Sequence, residues 1–172
     1  MPRYVITLVG EDRSGLVSAV ADAVSAHGGN WEGSQLAERA GVFAGVIEIS
    51  VTADSAPGLW AALRALDDRL TVTAVAGAEQ DSAGTSERRL VISLVANDRP
   101  GIVRDVSAAL AAHGLSIDEF TTEVRDAAMA GGRLFEASAL AHAAPSTDLA
   151  AVRDDLERLA AELQVEITVA DR

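Results

Sequence analysis

The chain carries the same seven-residue corner twice. Glu11-Asp12-Arg13-Ser14-Gly15-Leu16-Val17 returns as Asn97-Asp98-Arg99-Pro100-Gly101-Ile102-Val103, with Asp98 standing 86 positions after Asp12. Each copy follows an apolar, β-branched run, residues 4–9 and 90–95, that reads as a strand. Each leads into apolar residues at helical spacing: Leu16, Val17, Val20 and Val24 in the first copy, Ile102, Val103, Val106 and Leu110 in the second. His27-Gly28 and His113-Gly114 then close the two helices, since a glycine accepts the left-handed exit and a cation suits the helix C-terminus. A 172-residue chain with this period divides into two small domains. About 80–90 residues suffice for each to bury a modest core.

The segments between the corners repeat as well. Residues 30–39 read as a more polar strand, Ala40-Gly41 as a turn, and residues 42–52 as a third strand. In Ile47-Glu48-Ile49-Ser50-Val51 the alternation is that of a strand with one buried face. Pro57 precedes Leu59, Leu63, Leu66 and Leu70, an amphipathic helical stripe, and residues 71–76 form a short last strand. Residues 77–88 are small and polar without apolar periodicity and read as a linker. Beyond them come a strand at 116–125, a longer hairpin loop at 126–132 and a third strand at 134–141. Pro145-Ser146-Thr147-Asp148 supplies a helix start, and Leu149, Val152, Leu156, Leu159 and Leu163 form the helix stripe before a final strand at 165–169. Phe135-Glu136 matches Ile47-Glu48 at an offset of 88, so the second hairpin is expected to carry about two extra residues.

The order β-α-β-β-α-β, twice, predicts an α+β protein of two ferredoxin-like repeats, each a four-stranded antiparallel sheet with both helices on one face. The expected boundaries are 1–76 for the first domain, 77–88 for the linker and 89–172 for the second domain. The other face of each sheet is left for solvent or a partner.

The corners are the chemically suggestive feature. A helix N-terminus leaves N–H groups unpaired, and these attract carboxylates or phosphates. Pro100 suits a first helical turn, and Gly15 and Gly101 let a ligand approach the backbone. Asp12 and Asp98 offer a negative charge for an ammonium group. An aspartate just before a helix is also a common cap, contributing about 1 kcal/mol, and duplication copies caps as readily as sites. Arg13 and Arg99 read as solvated partners more readily than as a carboxylate clamp. Glu48 and Glu136 are expected at equivalent places on the open sheet faces, solvated or at an interface. His27 and His113 are explained by their helix-end positions without a catalytic or metal role. Trp60 is expected to flank the leucine stripe, partly buried, and Trp31 to line a domain interface.

Net charge excludes some functions. At −12 the chain lacks the clustered Lys and Arg that nucleic acid or an anionic membrane surface demands. It has no cysteine, hence no thiolate nucleophile or metal ligand, and no phosphate-loop or nucleophile motif. No apolar run is long enough to span a membrane, and residues 1–4 lead directly into a strand pattern without a signal peptide, so a cytoplasmic location is expected.

With its Asp-Arg-Pro-Gly-Ile-Val corner and a Gly-x-Ser/Asn opening to the second strand, the βαββαβ repeat resembles the ACT domain. As a tandem pair over residues 3–76 and 89–169 with a lengthened second hairpin, it is similar to the glycine cleavage system transcriptional repressor family. The resemblance implies a non-catalytic regulatory protein without cofactor or metal. It implies a small amino acid, glycine-like or other, held between the corner of one domain and the second-strand start of another. Carried over by position, the ligand-binding residues are Asp12, Ser14, Gly15 and Leu16 with Asn30, and Asp98, Gly101 and Ile102 with Ser116. Ser14 stands where the family usually has Pro and Ser116 where it often has Asn, which makes the two potential sites unequal. The implied partners are a transcription factor, or a metabolic enzyme if the chain is a stand-alone regulatory subunit, together with a second copy in a homodimer.

Overall fold

A computed structural model describes residues 1–66, 68, 70–77, 88–126, 132–163 and 166–171. The chain divides into two compact units, Met1–Asp81 and Ser82–Arg172.

The first unit runs β1 (Arg3–Glu11), α1 (Leu16–Ala26), β2 (Asn30–Arg39), β3 (Val42–Ser50), α2 (Ala56–Arg64) and β4 (Thr71–Ala76). Its antiparallel sheet has the order β2-β3-β1-β4. Ile6, Leu8, Ile47 and Ile49 point to one face and form the core with Leu16, Val20 and Val24 of α1 and Leu59 and Leu63 of α2. The leucine stripe outlasts its helix. After α2 ends at Arg64, Leu66 is half-buried and Leu70 fully buried within the connection to β4. Trp60 meets Tyr4 edge-on at 5.0 Å, and Trp31 packs against the core of its own unit.

The second unit runs β5 (Arg88–Asn97), α3 (Ile102–Ala112), β6 (Ser116–Asp126), β7 (Arg133–Ala143), α4 (Leu149–Leu163) and β8 (Glu166–Asp171), with sheet order β6-β7-β5-β8. Its core gathers Leu90, Ile92 and Leu94 with Val106, Leu110, Val152 and Leu156. Arg88, expected in the linker, opens β5; the rest of the linker reading from 78 onward lies outside the described residues.

Register corrects the expected match between the hairpins. Val5 pairs with Glu48, and Val91, 86 positions on, pairs with Leu140. The offset across the third strands is therefore 92, not 88, and the second hairpin carries six extra residues rather than two. Glu136 corresponds to Ala44 and Glu48 to Leu140, so the two glutamates are not equivalent. Glu48 pairs with Arg3 at 3.0 Å, and Glu136 pairs with Arg125 within its own hairpin.

Helix ends follow local chemistry. Gly28 (φ 67°) and Gly114 (φ 72°) take the left-handed exits of α1 and α3. The Asp148 carboxylate accepts from the Ala150 and Ala151 N–H groups at 3.0 and 3.2 Å and caps α4. His27 Nδ1–H donates to the Ala23 carbonyl at 2.8 Å, while His113 Nε2 lies 2.7 Å from Asp155 and ties α3 to α4. Arg158 and then His113 hold the Asp155 carboxyl below its ordinary value.

Candidate functional site

Both corners have the same backbone form. Gly15 (φ 89°, ψ 2°) and Gly101 (φ 95°, ψ −10°) occupy the N-cap positions in the left-handed region, where a side chain is strained. Steric room is not the constraint: a Cβ on Gly15 would touch nothing within 4 Å, and one on Gly101 would meet only ordinary contacts. The helices begin at Leu16 and Ile102, so Pro100 precedes the N-cap instead of occupying the first helical turn. The first intrahelical bonds run from Ala19 N–H to the Gly15 carbonyl at 2.9 Å and from Asp105 N–H to the Gly101 carbonyl at 3.0 Å. The three N–H groups before each are those a helix leaves open. With glycine at the N-cap, no side chain covers them from that position.

The capping reading of Asp12 and Asp98 is thereby overturned. Both stand three residues before the N-cap. Their own N–H groups extend the β-ladder, Asp12 to the Gly41 carbonyl at 2.9 Å and Asp98 to the Arg133 carbonyl at 2.8 Å. Both residues are exposed. The Asp98 carboxylate lies 3.7 Å from the Arg133 guanidinium. Arg13 pairs with Glu11, not with Asp12, and this pair lowers the Glu11 pKa and raises that of Arg13. Ser14 is exposed at the turn, whereas the Leu16 and Ile102 side chains are 4% and 2% exposed in the cores. Those two residues can meet a ligand through backbone N–H groups alone. The corners also differ: Arg104 and Asp105 form an ion pair at 2.8 Å beside Gly101, where the first repeat has Ser18 and Ala19.

Asn30 and Ser116 open β2 and β6, both exposed, opposite Ser50 and His142. Within one repeat they are remote from the corner. Glu11 pairs with Val42 at one end of β3 and Asn30 with Ser50 at the other, about 27 Å away at the usual strand rise. One repeat therefore does not bring its own two predicted walls together.

Beside each second-strand start lies a feature that sequence reasoning missed. The ladder skips Glu32 between Trp31 and Gly33, and Asp118 between Ile117 and Glu119, leaving a carboxylate at a β-bulge 86 residues apart in the two repeats. Glu32 accepts from the Ser50 hydroxyl at 2.6 Å, and Asp118 lies 2.6 Å from His142 Nδ1. Ser50 first, then Asn30, hold the Glu32 carboxyl below its ordinary value. A signal was available. Trp31 and Leu36 both turn toward the helices, yet they are five residues apart, and an odd separation on one face requires a bulge.

An open cleft of about 240 Å³ between α2 and β4, lined by Trp60, Leu63, Arg64, Val72, Thr73 and Ala74, contains none of the predicted site residues. Among the described residues, no cluster of three or more His, Asp or Glu could hold a metal, and no helix is long and apolar enough to cross a membrane.

Two βαββαβ units, each with a left-handed glycine turning the first strand into an uncapped helix, define a tandem pair of ferredoxin-like domains. The chain belongs to the ACT-domain family: models of the ACT domain match residues 3–76 and 90–161. No curated protein matches it by sequence. The crystal structure of an unknown protein from Galdieria sulphuraria has a TM-score of 0.87 to this chain at 26% identity, over 99% of this chain and 98% of that one. A crystal structure provisionally described as a glycine cleavage system transcriptional repressor has a TM-score of 0.68 at 17% identity, over 99% and 97%, a likeness of fold.

Proposed function

We propose that this chain is a non-catalytic regulator that senses a small amino acid, glycine or one like it, and controls transcription through a protein partner. The observation that carries the reading is the form of the corners. A left-handed N-cap glycine leaves first-turn N–H groups open beside an aspartate that does not cap the helix. A ligand carboxylate accepts from the N–H groups of Leu16 or Ile102 and their successors, and its ammonium meets Asp12 or Asp98. Ser14, Gly15 and Gly101 line the turn. Asn30 or Ser116 from another ACT repeat forms the opposite wall, because the two walls of a single repeat stand at opposite ends of its sheet.

The net charge of −12 favours a protein partner in the cytoplasm over direct contact with DNA. A thermal-shift screen of the full chain against the common amino acids tests the sensing role, since a ligand that prefers the folded state raises the melting temperature. Affinity purification tests the partner. A transcription factor is expected to come down with the chain. A metabolic enzyme in its place would make the chain a stand-alone regulatory subunit.

A further inference from the structure

We propose that the open face of the first sheet is a two-fold interface with a second copy of this chain. Five valines lie on it: Val5, Val9, Val42, Val46 and Val75. Val9, Val42, Val46 and Val75 are 45%, 44%, 41% and 60% exposed. The register makes the patch continuous. Val75 neighbours Val5, Val46 neighbours Thr7, and Val9 follows two residues later on the same face. Contiguous apolar patches of this kind mark interaction sites, unlike valines scattered singly.

Two polar pairs on the face are satisfied within it. The Thr7 and Thr73 hydroxyls at its centre hydrogen-bond each other, and Arg3 and Glu48 at its end form an ion pair at 3.0 Å. Covering the face therefore leaves neither hydroxyl orphaned, a condition that buried polar groups must meet. The apolar centre is uncharged, and this bears on the choice of partner. Two chains of net charge −12 repel unless they meet through a neutral surface.

The strand lengths give the whole four-stranded face, its polar β2 edge included, about 540 Å². Two such faces together reach about 1,100 Å², above the roughly 1,000 Å² expected of a specific interface. Two twisted sheets meeting face to face form a sandwich about 10 Å thick, and a two-fold axis lets the same patch serve both copies. The second sheet is differently built. Its corresponding face carries the Arg125–Glu136 and His142–Asp118 pairs, and Ser138 where the first sheet has Val46.

The test is the mass of the full chain in solution by light scattering, at tens of micromolar, for wild type, Val46→Lys, Val75→Lys and Ser138→Lys. Melting temperatures are measured alongside; exposed valines leave the fold intact when replaced. The wild type and Ser138→Lys are expected to be dimers, and Val46→Lys and Val75→Lys monomers with a wild-type melting temperature. A monomeric wild type overturns the proposal, whether the face is then covered by another part of the chain or by a different protein. A dimer that survives both valine substitutions, or one that only Ser138→Lys dissociates, overturns it equally.

Discussion

Glu32 and Ser50 are joined across the β2–β3 ladder by a 2.6 Å hydrogen bond from the serine hydroxyl to a carboxylate standing in a bulge. Ser50 is 7% exposed, so the bond satisfies a buried hydroxyl as well as the acid. The same bulge recurs at Asp118 with His142 in place of the serine.

That bond gives stability a pH dependence of known sign. The Ser50 hydroxyl, and next Asn30, lower the Glu32 pKa from its ordinary value of 4.5, while desolvation works against them. The unfolded chain therefore takes up this proton first as pH falls. The contribution is complete above the ordinary carboxylate range and is lost as pH falls through the lowered folded value. Urea denaturation from about pH 6 to about pH 3 is expected to show a shallower acid decline for Glu32→Gln than for wild type. Identical acid limbs would contradict this account of the bulge.

The aspartates before the helices separate by substitution. Asp148→Ala is expected to cost about 1 kcal/mol, because it removes the acceptor of two α4 N–H bonds, and Asp148→Asn much less. Asp98→Ala removes no cap and is expected to leave urea stability within about 0.5 kcal/mol of wild type. Equal losses at both positions would restore the capping reading of Asp98.

Gly101→Ala tests the corner backbone. At φ 95° an alanine is strained although its Cβ has room, and the expected loss is about 1–2 kcal/mol in chemical denaturation. The same holds for Gly15→Ala. An unchanged midpoint would mean that the corner relaxes to another conformation.

Charge makes a further prediction. The isolated chain is expected to show no sequence-dependent mobility shift with duplex DNA at moderate salt, because a net charge of −12 opposes phosphate contacts. A tight, sequence-specific shift would contradict control through a protein partner.

The fold was legible because each corner, helix stripe and helix-closing His-Gly pair recurs at a fixed interval, and Asp148 announces its helix from the sequence. The β7 register was not. Phe135-Glu136 resembles Ile47-Glu48 chemically, but the length of the hairpin sets which residues pair, and the ladder places Leu140 opposite Val91. At the corners, residue types alone do not tell which position takes the N-cap. Asp98 looked like a cap because it precedes a helix, while Gly101 takes the N-cap and moves the aspartate out of reach. The carboxylates at Glu32 and Asp118 are hidden in strands that carry no register when read by themselves, and the first bulge shows only once Trp31 and Leu36 are placed on one face.

The central claim is tested most directly by calorimetric titration of the common amino acids, glycine first, into the full chain, with Asp12→Asn and Asp98→Asn beside the wild type. The account predicts saturable binding of at least one small amino acid at millimolar concentration or below. It predicts weaker binding, without loss of folding, when the aspartate of the occupied corner is neutralised. No heat of binding from any amino acid at millimolar concentration would contradict it, and full affinity in both variants would remove the aspartates from the ammonium role.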